Sequence, residues 1–235
     1  MLETVTDRPA RRRVRRTTRW GWACIVLSSL AIVAYAPVPY LTGPLAESPG
    51  ALAHAYAGQP VVVRVAFVAH VVFGGLALLL GPWQFARWLR TRHPSAHRAI
   101  GWTTTTCIVA ASAAALVVAP FNTAGMVGFF GFGALAVLWA YGTVRAVRAA
   151  RRREYAVHQA WMIRSFALTY AAVTLRLWLI LLILVQVPFL SGADVGQVAQ
   201  ANAYPAVPFL AWLPNLVVAE LMIRRRGLPG LRMTY

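Results

Sequence analysis

Lysine is missing from this 235-residue sequence, acidic residues number only six, and charged side chains of all kinds make up 12%. Soluble domains carry about 25% charged residues. That scarcity, beside a hydrophobic content of 59%, excludes disorder, a coiled coil and an ordinary soluble enzyme. Cysteine is nearly as rare. Cys24 and Cys107 both sit inside apolar runs, which leaves no basis for a disulfide framework or a CxxC redox motif. The HExxH pattern, a GxSxG with triad partners and a Walker loop are all lacking, so nothing points to a metalloprotease, a serine hydrolase or an NTPase. Glu220 is the one acid within an apolar run, which is thin for a carboxylate-based proton pump.

Arginine and long apolar runs are what the chain does contain. Its mean hydropathy is +0.60 and its formal charge +17, all 23 basic residues being arginine. In a soluble protein such a charge would suggest a nucleic-acid partner. Here the arginines cluster between apolar runs, a membrane-topology pattern whose partner is the lipid bilayer, with no nucleic acid. A helix needs about 20 mostly apolar residues to cross the hydrocarbon core. Six segments qualify, at about 20–40, 61–85, 100–121, 125–147, 159–187 and 205–223. The first follows Arg11-Arg12-Arg13-Val14-Arg15-Arg16 and imitates a signal peptide, but Pro37 directly after Ala34-Tyr35-Ala36 disfavours cleavage there. It reads as a retained anchor.

Arginine distribution sets the expected orientation. Seven arginines lie between Arg8 and Arg19. Four follow helix two (Arg87, Arg90, Arg92, Arg98), five follow helix four (Arg145 to Arg153), and four close the chain (Arg224, Arg225, Arg226, Arg232). The alternate loops, about 41–60, 122–124 and 188–204, hold none. Six spans put every cluster on one side, so both termini are expected in the cytoplasm, the protein being multi-pass in the cell membrane. The expected organisation is a basic tail (1–19), an all-α six-helix membrane domain (20–223) and a second basic tail (224–235). No sequence repeat indicates an inverted-repeat transporter.

Polar groups at membrane depth are costly and so are functional candidates. In helix two, His70, Gly74, Ala77, Gly81 and Gln84 form one small and polar face. In helix five, His158, Ser165, Thr169 and Arg176 fall on one stripe, His158 and Arg176 being separated by five full turns. Arg164 and Glu220 are placed to pair across helices five and six. His97 opens helix three as His158 opens helix five, at a similar level near the arginine-rich rim. Two histidines on separate helices at one level can hold the iron of a b-type haem, with Arg90, Arg98 or Arg164 near its propionates. Capping or solvated rim histidines are the plainer alternative. The glycines of helix four (Gly125, Gly128, Gly131, Gly133) read as close packing. Trp83, Trp88, Trp102, Trp161 and Trp212 read as interfacial or packing residues.

Several stretches carry a family resemblance: His70-Val71-Val72-Phe73-Gly74 with Gly81-Pro82-Trp83-Gln84-Phe85; Arg92-His93-Pro94-Ser95-Ala96-His97-Arg98 with Gly101; and His158-Gln159-Ala160-Trp161-Met162-Ile163-Arg164-Ser165-Phe166-Ala167-Leu168-Thr169, running on to Thr174-Leu175-Arg176. Trp212-Leu213-Pro214-Asn215 and Val218-Ala219-Glu220 add to it. Over about 60–223 the chain resembles the bacterial predicted membrane proteins grouped as domain of unknown function 2306. The likeness implies a multi-span membrane protein and supplies no activity. In topology the chain also resembles six-helix cytochrome b561 proteins, with His97 and His158 matching one of two haem-ligand pairs; helix four lacks the histidine that would partner His70.

Two functions follow as expectations. One is a membrane redox protein with a single b haem on His97 and His158, tuned by Arg164 and Arg176, with His70 a quinone or proton contact. The other is a non-enzymatic carrier of a small molecule or protons, or an assembly partner of another membrane protein, using the polar interior of His70, Gln84, Arg176, Asn215 and Glu220.

Overall fold

A computed structural model describes residues 8–41, 43, 45–47 and 51–230, so residues 1–7 and 231–235 of the two expected tails, Arg232 included, lie outside the described residues. Every regular element among the described residues is helical. The chain runs through α1 (Arg8–Tyr35), α2 (Val38–Leu41), α3 (Ala51–Ala57) and α4 (Val61–Leu80), then a 3₁₀ turn (Gly81–Phe85), α5 (Arg87–Arg92) and α6 (Pro94–Val118). It continues as α7 (Gly125–Arg151), α8 (Tyr155–Thr169), α9 (Ala171–Gln186), α10 (Val195–Ala203), α11 (Val207–Leu210) and α12 (Leu213–Arg225). Six stretches are long and apolar enough to cross a membrane: Trp20–Leu41, Val61–Phe85, Pro94–Phe121, Gly125–Arg151, Ala171–Phe189 and Val195–Arg225. The protein is an all-α bundle of six candidate spans.

Local chemistry explains where helices begin, tighten and break. Pro94 opens α6 within its first turn, where its missing N–H costs nothing. The third helix therefore starts six residues earlier than the apolar run alone suggests. Pro82 cannot continue α4, and the chain tightens into the 3₁₀ turn Gly81–Phe85. Pro205, Pro208 and Pro214 divide the last span into α10, a 3₁₀ turn at Tyr204–Ala206, α11 and α12. Arg153 adopts φ 62°, a left-handed conformation that reverses the chain between α7 and α8. Glu154 N–H closes that reversal on Ala149 O at 3.0 Å.

The fifth helix, expected as one rod, is two. It breaks at Tyr170 with no proline or glycine nearby. A side chain from another helix occupies the gap in the ladder: Asn215 Nδ2 of α12 donates to Ala167 O at 3.1 Å and to Thr174 Oγ1 at 2.9 Å. Thr174 Oγ1 in turn donates to Ala211 O at 2.6 Å. Tyr170 Oη lies 2.7 Å from Ser28 Oγ of α1, tying the break to the first span.

Packing runs in chain order. α4 lies along α6, α6 along α7, and α7 along α8; α12 covers α8, and α1 sits outside against α4 and α9. Small residues allow these approaches, since lipid supplies no hydrophobic drive between helices. The central core joins Ala77, Ile108, Ala111, Trp139, Leu168, Val207 and Trp212. Gly131 of α7 is needed where α11 crosses, because a Cβ there would stand 2.5 Å from Pro208 Cβ and 3.0 Å from Pro208 backbone. Trp212 Nε1 fastens the same crossing, donating to Pro208 O at 2.8 Å and Gly131 O at 3.2 Å.

Candidate functional site

Several polar assemblies lie within the bundle among the described residues, and the first is a ladder between α7 and α8. Trp139 Nε1 donates to Thr169 Oγ1 at 2.9 Å, Thr143 Oγ1 and Ser165 Oγ lie 2.7 Å apart, and His158 Nδ1 lies 2.9 Å from Ala146 O. His158, Ser165 and Thr169 thus share a stripe that faces α7. Arg176 does not continue it, because the break at Tyr170 interrupts the helical stepping; its helix packs on the first span instead, with Tyr35 and Tyr40 within electrostatic reach of Arg176. Thr169 and Thr143 also return their hydroxyls to carbonyls of their own helices, at 2.9 and 2.8 Å. The hydroxyl ladder is saturated and reads as helix–helix fastening.

Histidine tautomers follow from these contacts. A carbonyl only accepts, so His158 carries its proton on Nδ1 toward Ala146 O, which leaves Nε2 with a lone pair in the neutral ring. His70 is held the same way, Nδ1 lying 3.0 Å from Ala111 O of α6. Each ring keeps one nitrogen for another partner.

The second assembly lies at the arginine-rich end, where the 3₁₀ turn is wedged among α1, α6 and α8. Gly81 lets this turn approach α8, since a Cβ there would be 2.8 Å from the Phe166 ring. Gln84 then lies against Gly101 of α6, its Oε1 3.2 Å from where a Cβ would stand. Gln84 is buried, at 8% exposure, and its Nε2 has no hydrogen-bond partner. One turn before Gly101, His97 Nδ1 is also buried and unpartnered. His158, Arg90 and Arg98 lie within electrostatic reach of His97. Helices α6 and α8 do not pack closely on each other; the 3₁₀ turn touches both.

Beside this cluster the expected ion pair forms. Arg164 Nε donates to Glu220 Oε1 at 2.5 Å and Nη2 to Oε2 at 2.9 Å, a bidentate fork with Arg164 4% exposed. The Arg164 guanidinium also stacks over Trp161 at 4.8 Å, and Arg145 covers the same indole at 5.5 Å. Two of the Arg164 nitrogens and its face are therefore engaged within the protein. The third assembly is a run of phenols that begins at Arg176, with Tyr35 and Tyr40 within electrostatic reach of it. Tyr204 lies within electrostatic reach of Tyr40, and Tyr56 within reach of Tyr204.

With that geometry in place, the family model described as predicted membrane protein (DUF2306) matches residues 67–223. The chain belongs to this family. In this DUF2306 protein the match runs from α4 to α12 and takes in His70, Gln84, His97, His158, Arg164, Arg176, Asn215 and Glu220. The first span, with Tyr35 and Tyr40, and the short helix α3, with Tyr56, precede it. No curated protein and no solved structure matches the chain.

Membrane-depth cost singled out the histidines and arginines, but it could not find the tyrosines around Arg176. Tyr40, Tyr56 and Tyr204 are ordinary interfacial residues in sequence, brought together from three separate segments. Thr143 and Trp139 were likewise unmarked, and only the facing stripe of Ser165 and Thr169 hinted at partners on a neighbouring helix.

Proposed function

We propose that the protein is a non-enzymatic membrane carrier whose small polar ligand is held by Gln84, His97 and His158 at the arginine-rich end of the bundle. One observation carries this reading: Gln84 Nε2, of a side chain lying against Gly101, and His97 Nδ1, one helical turn before Gly101, are both buried without partners. A buried donor left unmade costs about 1–3 kcal/mol, and a ligand with acceptor groups removes that penalty. His158 Nε2, freed by the Nδ1 contact to Ala146 O, adds an acceptor or a proton carrier. The arginine asymmetry between alternate loops supports a cytoplasmic position for both termini and for this site, with the chain in the cell membrane.

A thermal-shift screen of small polar solutes on the detergent-purified protein tests the reading. Solutes that stabilise wild type and fail on Gln84→Leu and His97→Leu support it; stabilisation equal in all three contradicts it.

A b haem between His97 and His158 is the second reading, favoured by the Nδ1 contact of His158, which is how a ligating histidine is usually held by its surroundings. When bound, haem would supply one-electron transfer. It would leave the Gln84 amide without a partner, so the first reading explains more of the site. A Soret band that shifts on reduction, lost in His97→Ala and His158→Ala, would reverse that order.

A further inference from the structure

Arg176 stands in the fifth span, away from the arginine clusters. Among the described residues it donates one hydrogen bond, Nη1 to Ala172 O of its own helix at 2.6 Å. No carboxylate among the described residues lies within ion-pair distance of it; the one such pair there is Arg164 with Glu220. A guanidinium offers five N–H donors in a rigid fork, and holding its charge within a membrane span is costly without a counter-charge.

Its surroundings are phenols rather than carboxylates. Tyr35 and Tyr40 lie within electrostatic reach of Arg176, and Tyr204 within reach of Tyr40. Packing fixes the position of this group. Tyr40 meets the Phe67 ring edge-on at 5.0 Å, and Tyr56 stacks on the same ring at 4.4 Å. Neutral phenols cannot balance the guanidinium, but they can donate O–H to an anion that does. The arrangement has a net positive charge, several donors and a planar fork, which suits a two-oxygen anion and repels a cation.

We propose that Arg176, with Tyr35 and Tyr40, binds an oxyanion, a phosphate or carboxylate group, where the fifth span meets the first. This site does not depend on the Gln84–His97 reading. The anion can be a free solute or the headgroup of an anionic lipid.

The full chain is melted in neutral detergent with inorganic phosphate or acetate, chloride serving as the matched-ionic-strength control. In parallel it is melted in phosphatidylcholine nanodiscs with or without phosphatidylglycerol. The site predicts a rise of several degrees with phosphate or acetate if the anion is free, or with phosphatidylglycerol alone if it is a headgroup. The rise disappears in Arg176→Gln and persists in Arg64→Gln, whose exposed arginine lies in the first turn of α4. If Arg176→Gln does not fold, Arg176→Lys decides. Loss of the fork then raises the half-saturating concentration by about tenfold, roughly 1.4 kcal/mol. No rise with any anion, a rise that survives Arg176→Gln, or unchanged affinity in Arg176→Lys would overturn the proposal.

Discussion

Arg164 and Glu220 form a single ion pair between α8 and α12. The fork is nearly dry on the arginine side, with side-chain exposures of 5% and 29%. Its net value is small because both ions lost water, while removal of one partner leaves the other uncompensated. Glu220→Leu alone is expected to destabilise the detergent-solubilised protein by about 3 kcal/mol, and Arg164→Met with Glu220→Leu together to recover most of that loss. Chemical denaturation of the two variants checks it; equal destabilisation in both would show that the pair itself supplies the stability. This pair was legible before any fold, because two opposite charges in neighbouring apolar runs have few other ways to persist. The Arg176 tyrosines were not, since nothing in the spacing of Tyr40, Tyr56 and Tyr204 links them.

At the scale of elements, the architecture was written in the length of the apolar runs and in the arginines between them. The internal breaks were written elsewhere. Three prolines mark those of the last span, but the break at Tyr170 comes from Asn215, a residue in another helix. Stepping by 3.6 residues remained sound from His158 to Thr169 and failed at Arg176, past that break. The crossing of α7 and α11 gives the sharpest test. Gly131→Ala forces a Cβ into Pro208, both side chain and backbone, and overpacking of this kind costs about 1–3 kcal/mol. A lower melting temperature is expected for Gly131→Ala, with little change for Gly133→Ala, where a Cβ meets nothing within 4 Å. Equal effects at the two glycines would mean that helix propensity, not the crossing, governs.

For the whole molecule, two polar regions differ in chemistry. The arginine-rich end gathers histidines, an amide and stacked guanidinium–indole pairs, whereas Tyr35 and Tyr40 lie within reach of the lone Arg176 guanidinium where the fifth span meets the first. Charge asymmetry along the chain set the expected sidedness, whereas the unpartnered Gln84 and His97 emerged only from the wedge of the 3₁₀ turn between α6 and α8. Under the proposed function, this wedge is a ligand site reached from the cytoplasm. Replacement of Cys24 and Cys107 by alanine, followed by Ile100→Cys one turn from His97, places one reactive thiol beside it and leaves Gln84, His97 and His158 intact. A membrane-impermeant maleimide should label that thiol in inside-out vesicles and not in right-side-out ones, and a stabilising polar solute should slow the labelling. Labelling from the outer face alone, or no protection by any stabilising solute, would contradict the account.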